Sequence, residues 1–212
     1  DYIEKNPRKK KNAEILETLL KEGKILKSTY PSNNINQLLD ENLIKITQEQ
    51  IYRLNNDKQN NEKITFSKDQ QNAIDTIDLN SEDTYLLHGV TGSGKTEVYI
   101  ELIKRVVALG KKAIMLVPEI SLTAQIVNKF YSHFGNDVAI FHSGLSNGEK
   151  YDEYLKILRD EVHIVVGTRS AIFTPLTNLG IIIIDEEHSE TYKQDTTPRY
   201  HSLDMATFRS KY

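Results

Sequence analysis

Eight consecutive residues, Gly89-Val90-Thr91-Gly92-Ser93-Gly94-Lys95-Thr96, follow the pattern G-x-x-x-x-G-K-T. Glycines at these places let backbone N–H groups wrap a phosphate, where a Cβ would obstruct the approach and disfavour the dihedrals. A helix opening directly after the loop adds its N-terminal partial positive charge to the same anion site. Lys95 then reaches the β- and γ-phosphates of a nucleotide, and Thr96 offers a hydroxyl to Mg²⁺. Chance matches occur in on the order of 1% of chains of this length. The candidate ATP-binding residues are Gly89, Thr91, Gly92, Ser93, Gly94, Lys95 and Thr96. A second cluster, Asp185-Glu186-Glu187-His188, follows the apolar run Ile181-Ile182-Ile183-Ile184. A buried strand delivers these acids to the sheet edge that carries the phosphate loop, so Asp185 can hold Mg²⁺ through water. Glu186 can orient and deprotonate an attacking water. Lys95, Asp185 and Glu186 are the candidate catalytic set, with Thr96 and Asp185 at the metal.

The elements that must position these groups alternate between strand and helix. Thr84–His88, Ala113–Val117, Val138–Phe141, Val162–Val166 and Ile181–Ile184 read as strands. Helices are expected over Glu97–Leu109, Leu122–Phe134 and Glu149–Leu158. Near-continuous β-branched runs separated by helices imply a parallel sheet buried on both faces. With right-handed crossovers the domain is a doubly wound α/β fold, its site at the strands' carboxyl ends.

Upstream the pattern differs. Ala13, Ile15, Leu16, Leu19 and Leu20 recur at helical spacing before Gly23, and Ile35, Leu38 and Leu39 mark a second short helix ending near Asn42. Leu43–Thr47 and Gln50–Leu54 read as two short strands. Helices followed by a small hairpin suggest a winged-helix-like α+β unit over residues 1–54, or else a helical cap on the next domain. Residues 55–64 carry no apolar periodicity and read as a linker. The α/β domain then occupies 65–212. The basic run Arg8-Lys9-Lys10-Lys11 suits either a phosphate contact or a solvated helix end.

Composition narrows the chemistry. The 212 residues hold 27 Lys+Arg against 30 Asp+Glu, a net charge of −3, so nucleic-acid contact must come from local patches. There is no cysteine, which excludes a disulfide framework, an iron–sulfur cluster, a thiolate zinc site and a cysteine nucleophile. No apolar run approaches the roughly 20 residues of a membrane span, and no signal peptide is visible, so no membrane partner and a cytoplasmic location are expected.

Asp-Glu-Glu-His resembles motif II of the superfamily 2 helicases, and the surrounding residues narrow the resemblance. Gly89–Tyr99 (GVTGSGKTEVY), Pro118-Glu119-Ile120-Ser121-Leu122-Thr123 with Gln125, His142-Ser143-Gly144, and Gly167-Thr168-Arg169-Ser170-Ala171 with Phe173 and Pro175 are similar to the primosomal protein N′ (PriA) family of replication-restart DNA helicases. So is the stretch from Tyr192-Lys193-Gln194 through Arg199-Tyr200-His201 to Asp204. The similarity is dense from about Phe66 onward and weaker over residues 1–60.

The resemblance implies a RecA-like first helicase lobe, preceded by a winged helix, in an ATP- and Mg²⁺-dependent 3′→5′ helicase that acts at stalled forks. It implies single-stranded and forked DNA as partners, together with primosome and single-strand-binding proteins. It places Gln70 at the adenine, and Thr123, Thr168 and Arg169 on DNA phosphates, contacts that position a strand without reading its sequence. Tyr192, Lys193, Arg199 and Tyr200 interleave aromatic and basic residues, a composition suited to stacking single-stranded bases. They resemble the family's aromatic-rich loop, which couples DNA occupancy to ATP hydrolysis, with His188 as a link. Family members also carry a second lobe with an arginine finger and a cysteine zinc site. The chain is therefore expected to be a fragment without zinc that binds Mg·ATP weakly and turns over poorly. Another superfamily 2 DNA translocase, or a non-catalytic DNA-binding module, are the alternatives. The GTRSA stretch argues against the first, and intact Lys95, Thr96, Asp185 and Glu186 against the second.

Overall fold

The computed structural model describes residues 9–47 and 65–211. These belong to two compact units, one within Asp1–Ile51 and one within Tyr52–Tyr212.

In the first unit, α1 (Lys10–Glu22) and α2 (Ser32–Asp40) bury Ile15, Ile35 and Leu38 against each other. Gly23 stops α1 at φ 76° with its N–H on the Leu19 carbonyl, a left-handed cap that glycine reaches without a Cβ penalty. The helices also share an amide chain centred on the buried Asn12: Asn34 Nδ2 donates to Asn12 Oδ1 (2.6 Å), and Asn12 Nδ2 to Gln37 Oε1 (3.0 Å). Lys9 pairs with Glu41 and Lys11 with Glu14, so two cations of the basic run are engaged at a helix end. Leu43–Thr47, expected as a strand, is irregular; Leu43 instead returns its N–H to the Leu38 carbonyl. Its expected partner Gln50–Leu54 and the linker 55–64 lie outside the described residues.

The second unit begins with α3 (Lys68–Thr76), started by a reciprocal cap between Ser67 and Gln70. It continues through α4 (Lys95–Ala108), β1 (Lys112–Leu116), α5 (Ala124–Phe134), β2 (Val138–Phe141), α6 (Asn147–Leu158), β3 (Ile164–Gly167) and β4 (Leu179–Ile184). After β4 a short antiparallel pair, β5 (Lys193–Gln194) with β6 (Tyr200–His201), leads into α7 (Ser202–Arg209). The four long strands form one parallel sheet in the order β2-β3-β1-β4.

The sheet is covered on both faces, which is why its strands read as apolar runs. One face packs Tyr99, Ile103, Met115, Phe130 and Ile140 in a single cluster. The other packs Ile114, Leu116, Ile157, Val165 and Tyr192. Two ionic pairs are built into the frame. Lys112 is buried at the start of β1 with its ammonium on Asp160. Glu153 Oε2 accepts the Ile140 N–H (2.8 Å) while Oε1 takes Lys156 (2.6 Å), and burial nonetheless pushes the Glu153 carboxyl up.

Thr84–His88, expected as a strand, joins no sheet. Only Leu87 packs on the core, while Leu86 is 78% exposed and the exposed Tyr85 makes a local bond, its hydroxyl accepting the Asp78 N–H (3.2 Å), so the segment is held by one inward side chain and side-chain bonds rather than by a ladder.

Candidate active site

All four parallel strands end on one edge, and each delivers a candidate segment there. Pro118–Thr123 follows β1, His142–Gly144 follows β2, Thr168–Phe173 follows β3 and Asp185–His188 follows β4. The topology therefore gathers motifs spread over about seventy residues of chain.

Gly92 and Gly94 both sit at φ 79°, a left-handed conformation that costs an L side chain roughly 1–2 kcal/mol. Gly94 is the N-cap of α4, so Lys95 and Thr96 form its first turn. A Cβ on Gly94 would stand 2.2 Å from Gln70 Nε2. Gln70 Nε2 donates to the Ser93 carbonyl (3.0 Å), and its Oε1 accepts the Ser67 N–H (2.8 Å). Gln70 thus joins the start of α3 to the phosphate loop, whereas the neighbouring Gln71 turns to Asp75. Lys95 Nζ donates to the carbonyls of Gly89 (2.7 Å) and Val90 (3.2 Å). These acceptors carry only partial charge, so a phosphate's full charge would compete for the ammonium.

Asp185 is fastened from three directions. Its N–H bonds the Leu116 carbonyl of β1 (2.9 Å), its carbonyl accepts Tyr192 Oη (2.6 Å), and its Oδ1 accepts Tyr99 Oη (3.1 Å). Since Tyr99 lies one turn beyond Lys95 on α4, that last bond puts the carboxylate on the phosphate-loop side of the sheet. Burial, reinforced by Asp185, pushes both phenols above their ordinary pKa, so each stays the donor. Glu186 follows at φ 47°, its Oε2 3.5 Å from Ser121 Oγ.

The donor set suits Mg²⁺. Among the described residues no group of three or more His, Cys, Asp or Glu side chains could hold a metal ion. Mg²⁺ in phosphoryl-transfer sites needs no such cage, since it takes one or two protein oxygens and completes its shell with phosphate and water. Thr96, in the first turn of α4, and Asp185, directly after β4, carry oxygens of that kind.

The residues expected at DNA divide. Thr168, Arg169, Lys150, His142, Gln194 and Tyr200 line one cleft of about 340 Å³. Tyr200 meets Phe173 edge to face at 4.7 Å, which leaves the pair half-exposed beside that cleft. Lys193, Arg199 and His188 are exposed, Lys193 against Asp195 and His188 beside Glu187. Thr123 is exposed and caps α5 by accepting the Ile126 N–H. Arg169 is more than a surface cation. Its Nη1 donates to the carbonyls of Thr191 (3.3 Å) and Lys193 (3.1 Å), strapping the loop after motif II to the end of β3.

Tyr192 corrects the expectation of a stacking platform. Its ring is fully buried against the β1 and β3 side chains and offers no face to a base. The hydroxyl's bond to Asp185 draws it inward, which makes Tyr192 a link between loop and acid. Ser202 completes the joint, donating to the Tyr192 carbonyl (3.2 Å) and lying 3.3 Å from that of Arg169. Tyr99, Ser202 and Arg209 were not singled out from sequence. The available signal for Tyr99 was its place four residues after Lys95, on one helical face.

A glycine-rich loop opening onto a helix, with an acid presented by a neighbouring parallel strand, defines a P-loop nucleotide-binding domain of RecA-like α/β type. Residues 67–207 match the DEAD/DEAH box helicases, and the chain belongs to that family. It is 50% identical over 193 residues to the replication restart protein PriA of Bacillus subtilis, an alignment covering 88% of this chain and 24% of the relative. It is 51% identical over 144 residues to the protein of the same name from Synechocystis, covering 67% and 17%. The chain thus spans about a quarter or less of the curated relatives it matches. Among solved structures, T4 UvsW superimposes on 83% of this chain and 37% of its own, with a TM-score of 0.50 and 18% identity, a likeness of fold alone.

Proposed function

We propose that this chain is the ATP-binding lobe of a replication-restart DNA helicase, preceded over residues 1–54 by a winged-helix-like unit. The observation that carries the reading is the Tyr99–Asp185 bond, which joins the phosphate-loop helix to motif II at the sheet's carboxyl edge. Lys95 would exchange its loop carbonyls for the β- and γ-phosphates of ATP, with the first turn of α4 at the same anion. Gln70, already at the loop, would orient the base. Thr96 and Asp185 would hold Mg²⁺, which when bound neutralises charge on the transferring phosphoryl group. Glu186 would orient the attacking water and take its proton.

Single-stranded DNA would lie along the cleft, its phosphates near Thr123, Thr168 and Arg169, with Lys193, Arg199 and Tyr200 at its margin. Occupancy there would reach the acids through the Arg169 strap and Tyr192, and His188 would lie on the same route. The 3′→5′ direction, the preference for forks, primosome and single-strand-binding partners, and a cytoplasmic setting are proposed on the similarity to replication restart proteins. No helix among the described residues is long and apolar enough to cross a membrane.

The test is Lys95→Ala in the full-length protein. DNA-stimulated ATPase and unwinding should disappear while forked-DNA binding persists. Unchanged ATPase would sink the assignment.

A further inference from the structure

Tyr99 sits four residues after Lys95 and three after Thr96, so all three side chains share one stripe of α4. Its ring is 7% exposed and packed in the cluster that includes Ile103, Met115 and Ile183. A ring held that firmly fixes where its hydroxyl points. The hydroxyl emerges at the carboxyl edge of the sheet and donates to Asp185 Oδ1 at 3.1 Å. The main chain of Asp185 is already set by Leu116 and Tyr192, which leaves the carboxylate's rotation as the freedom Tyr99 removes.

We propose that Tyr99 is a positioning residue that aims the Asp185 carboxylate at the nucleotide's magnesium, setting that ligand from the helix that carries Lys95 and Thr96. The inference rests on the ATP-binding reading above and adds a residue to it. Its physical content is rotational. Without the phenol, Asp185 Oδ1 loses a charge-assisted bond, and the carboxylate must be ordered when the metal arrives. Outer-shell partners of this kind typically change metal affinity 10–100-fold. A phenylalanine ring would keep the packing and remove only the donor.

The experiment is Tyr99→Phe in the full-length protein, followed by equilibrium binding of N-methylanthraniloyl-ATP across a Mg²⁺ titration and in excess EDTA. The Mg²⁺ concentration for half-maximal binding should rise about tenfold, with binding in EDTA unchanged. On an Asp185→Asn background the added Tyr99→Phe change should shift nothing further. A Mg²⁺ midpoint equal to wild type, while Lys95→Ala still abolishes binding, overturns the role of Tyr99 and leaves the ATP-binding reading standing. Equal loss with and without Mg²⁺, or a Tyr99→Phe protein that fails to fold, overturns it too, since packing would then be what Tyr99 supplies. Wild-type protein that binds no nucleotide, or binds it equally well after Lys95→Ala, removes the ATP-binding reading itself.

Discussion

The hydroxyl of Tyr192 donates to the main-chain carbonyl of Asp185 at 2.6 Å, tying the loop after motif II to the acid that would hold the metal. The same tyrosine's carbonyl accepts Ser202, and Arg169 bonds the carbonyls on either side of it. A loop held this way cannot shift at its cleft side without pulling on the acid. Tyr192→Phe should therefore have two consequences. Leaving a half-buried carbonyl without its donor should lower stability by about 1 kcal/mol, read as a shift in the urea midpoint. In the full-length protein the stimulation of ATPase by single-stranded DNA should fall more than basal ATPase. An equal fall in both would show that the bond serves folding alone.

Gly92 and Gly94 permit a comparison between strain and collision. Both lie at φ 79°, but a Cβ at Gly92 meets nothing within 4 Å while one at Gly94 runs into Gln70. Gly92→Ala should lose roughly 1–2 kcal/mol of stability from the dihedral. Gly94→Ala should lose as much and also push Gln70 off the Ser93 carbonyl, so its ATP affinity should be at least about tenfold lower than that of Gly92→Ala, a gap of 1.4 kcal/mol. Isothermal titration with both variants measures that gap.

What was legible beforehand follows a physical line. Strands β1 to β4 announce themselves because a parallel sheet covered on both faces demands contiguous apolar runs. The phosphate loop is legible because the dihedrals at Gly92 and Gly94 restrict residue type. Features that depend on distant partners were not legible. Thr84–His88 has the composition of a strand yet gains no ladder. Tyr192 and Tyr200 look alike in sequence, but Asp185 draws one inside while Phe173 holds the other at the surface. The strap from Arg169 spans 22 and 24 residues to carbonyls, groups that every residue possesses and that leave no trace in side-chain pattern.

Arg209 is the clearest structural counterpart of that strap. Its guanidinium donates to the carbonyls of Ile172 (2.5 Å), Thr174 (3.0 Å) and Leu176 (2.8 Å), fastening α7 to the segment that leaves β3. A planar fork meets three carbonyls where an ammonium cannot, so Lys should restore little. Arg209→Lys and Arg209→Ala should both destabilise by about 2–3 kcal/mol. The amides of Ala171 and Thr174, which bond within this turn, should lose hydrogen-exchange protection before the β-strand amides do. Uniform loss across the sheet would contradict a local fastening.

The buried ammonium of Lys112 predicts an acid-labile element. Its bond to the Asp160 carboxylate holds that carboxyl below the usual range, although Asp160 itself is largely exposed. The folded state therefore takes up its proton at lower pH than the unfolded chain does, and folding is favoured while the carboxylate is charged. The contribution is complete above the ordinary carboxyl pKa of about 4 and fades as pH falls through the lower folded value. Asp160→Asn separates this effect from the backbone requirement, because Asn tolerates the φ of 62° found there. The variant should unfold at lower urea than wild type at pH 7, and the difference should shrink steadily below pH about 4. A gap that stays constant down to pH about 3 would show that the charge on Asp160 contributes nothing and that Lys112 is held by packing of its stem.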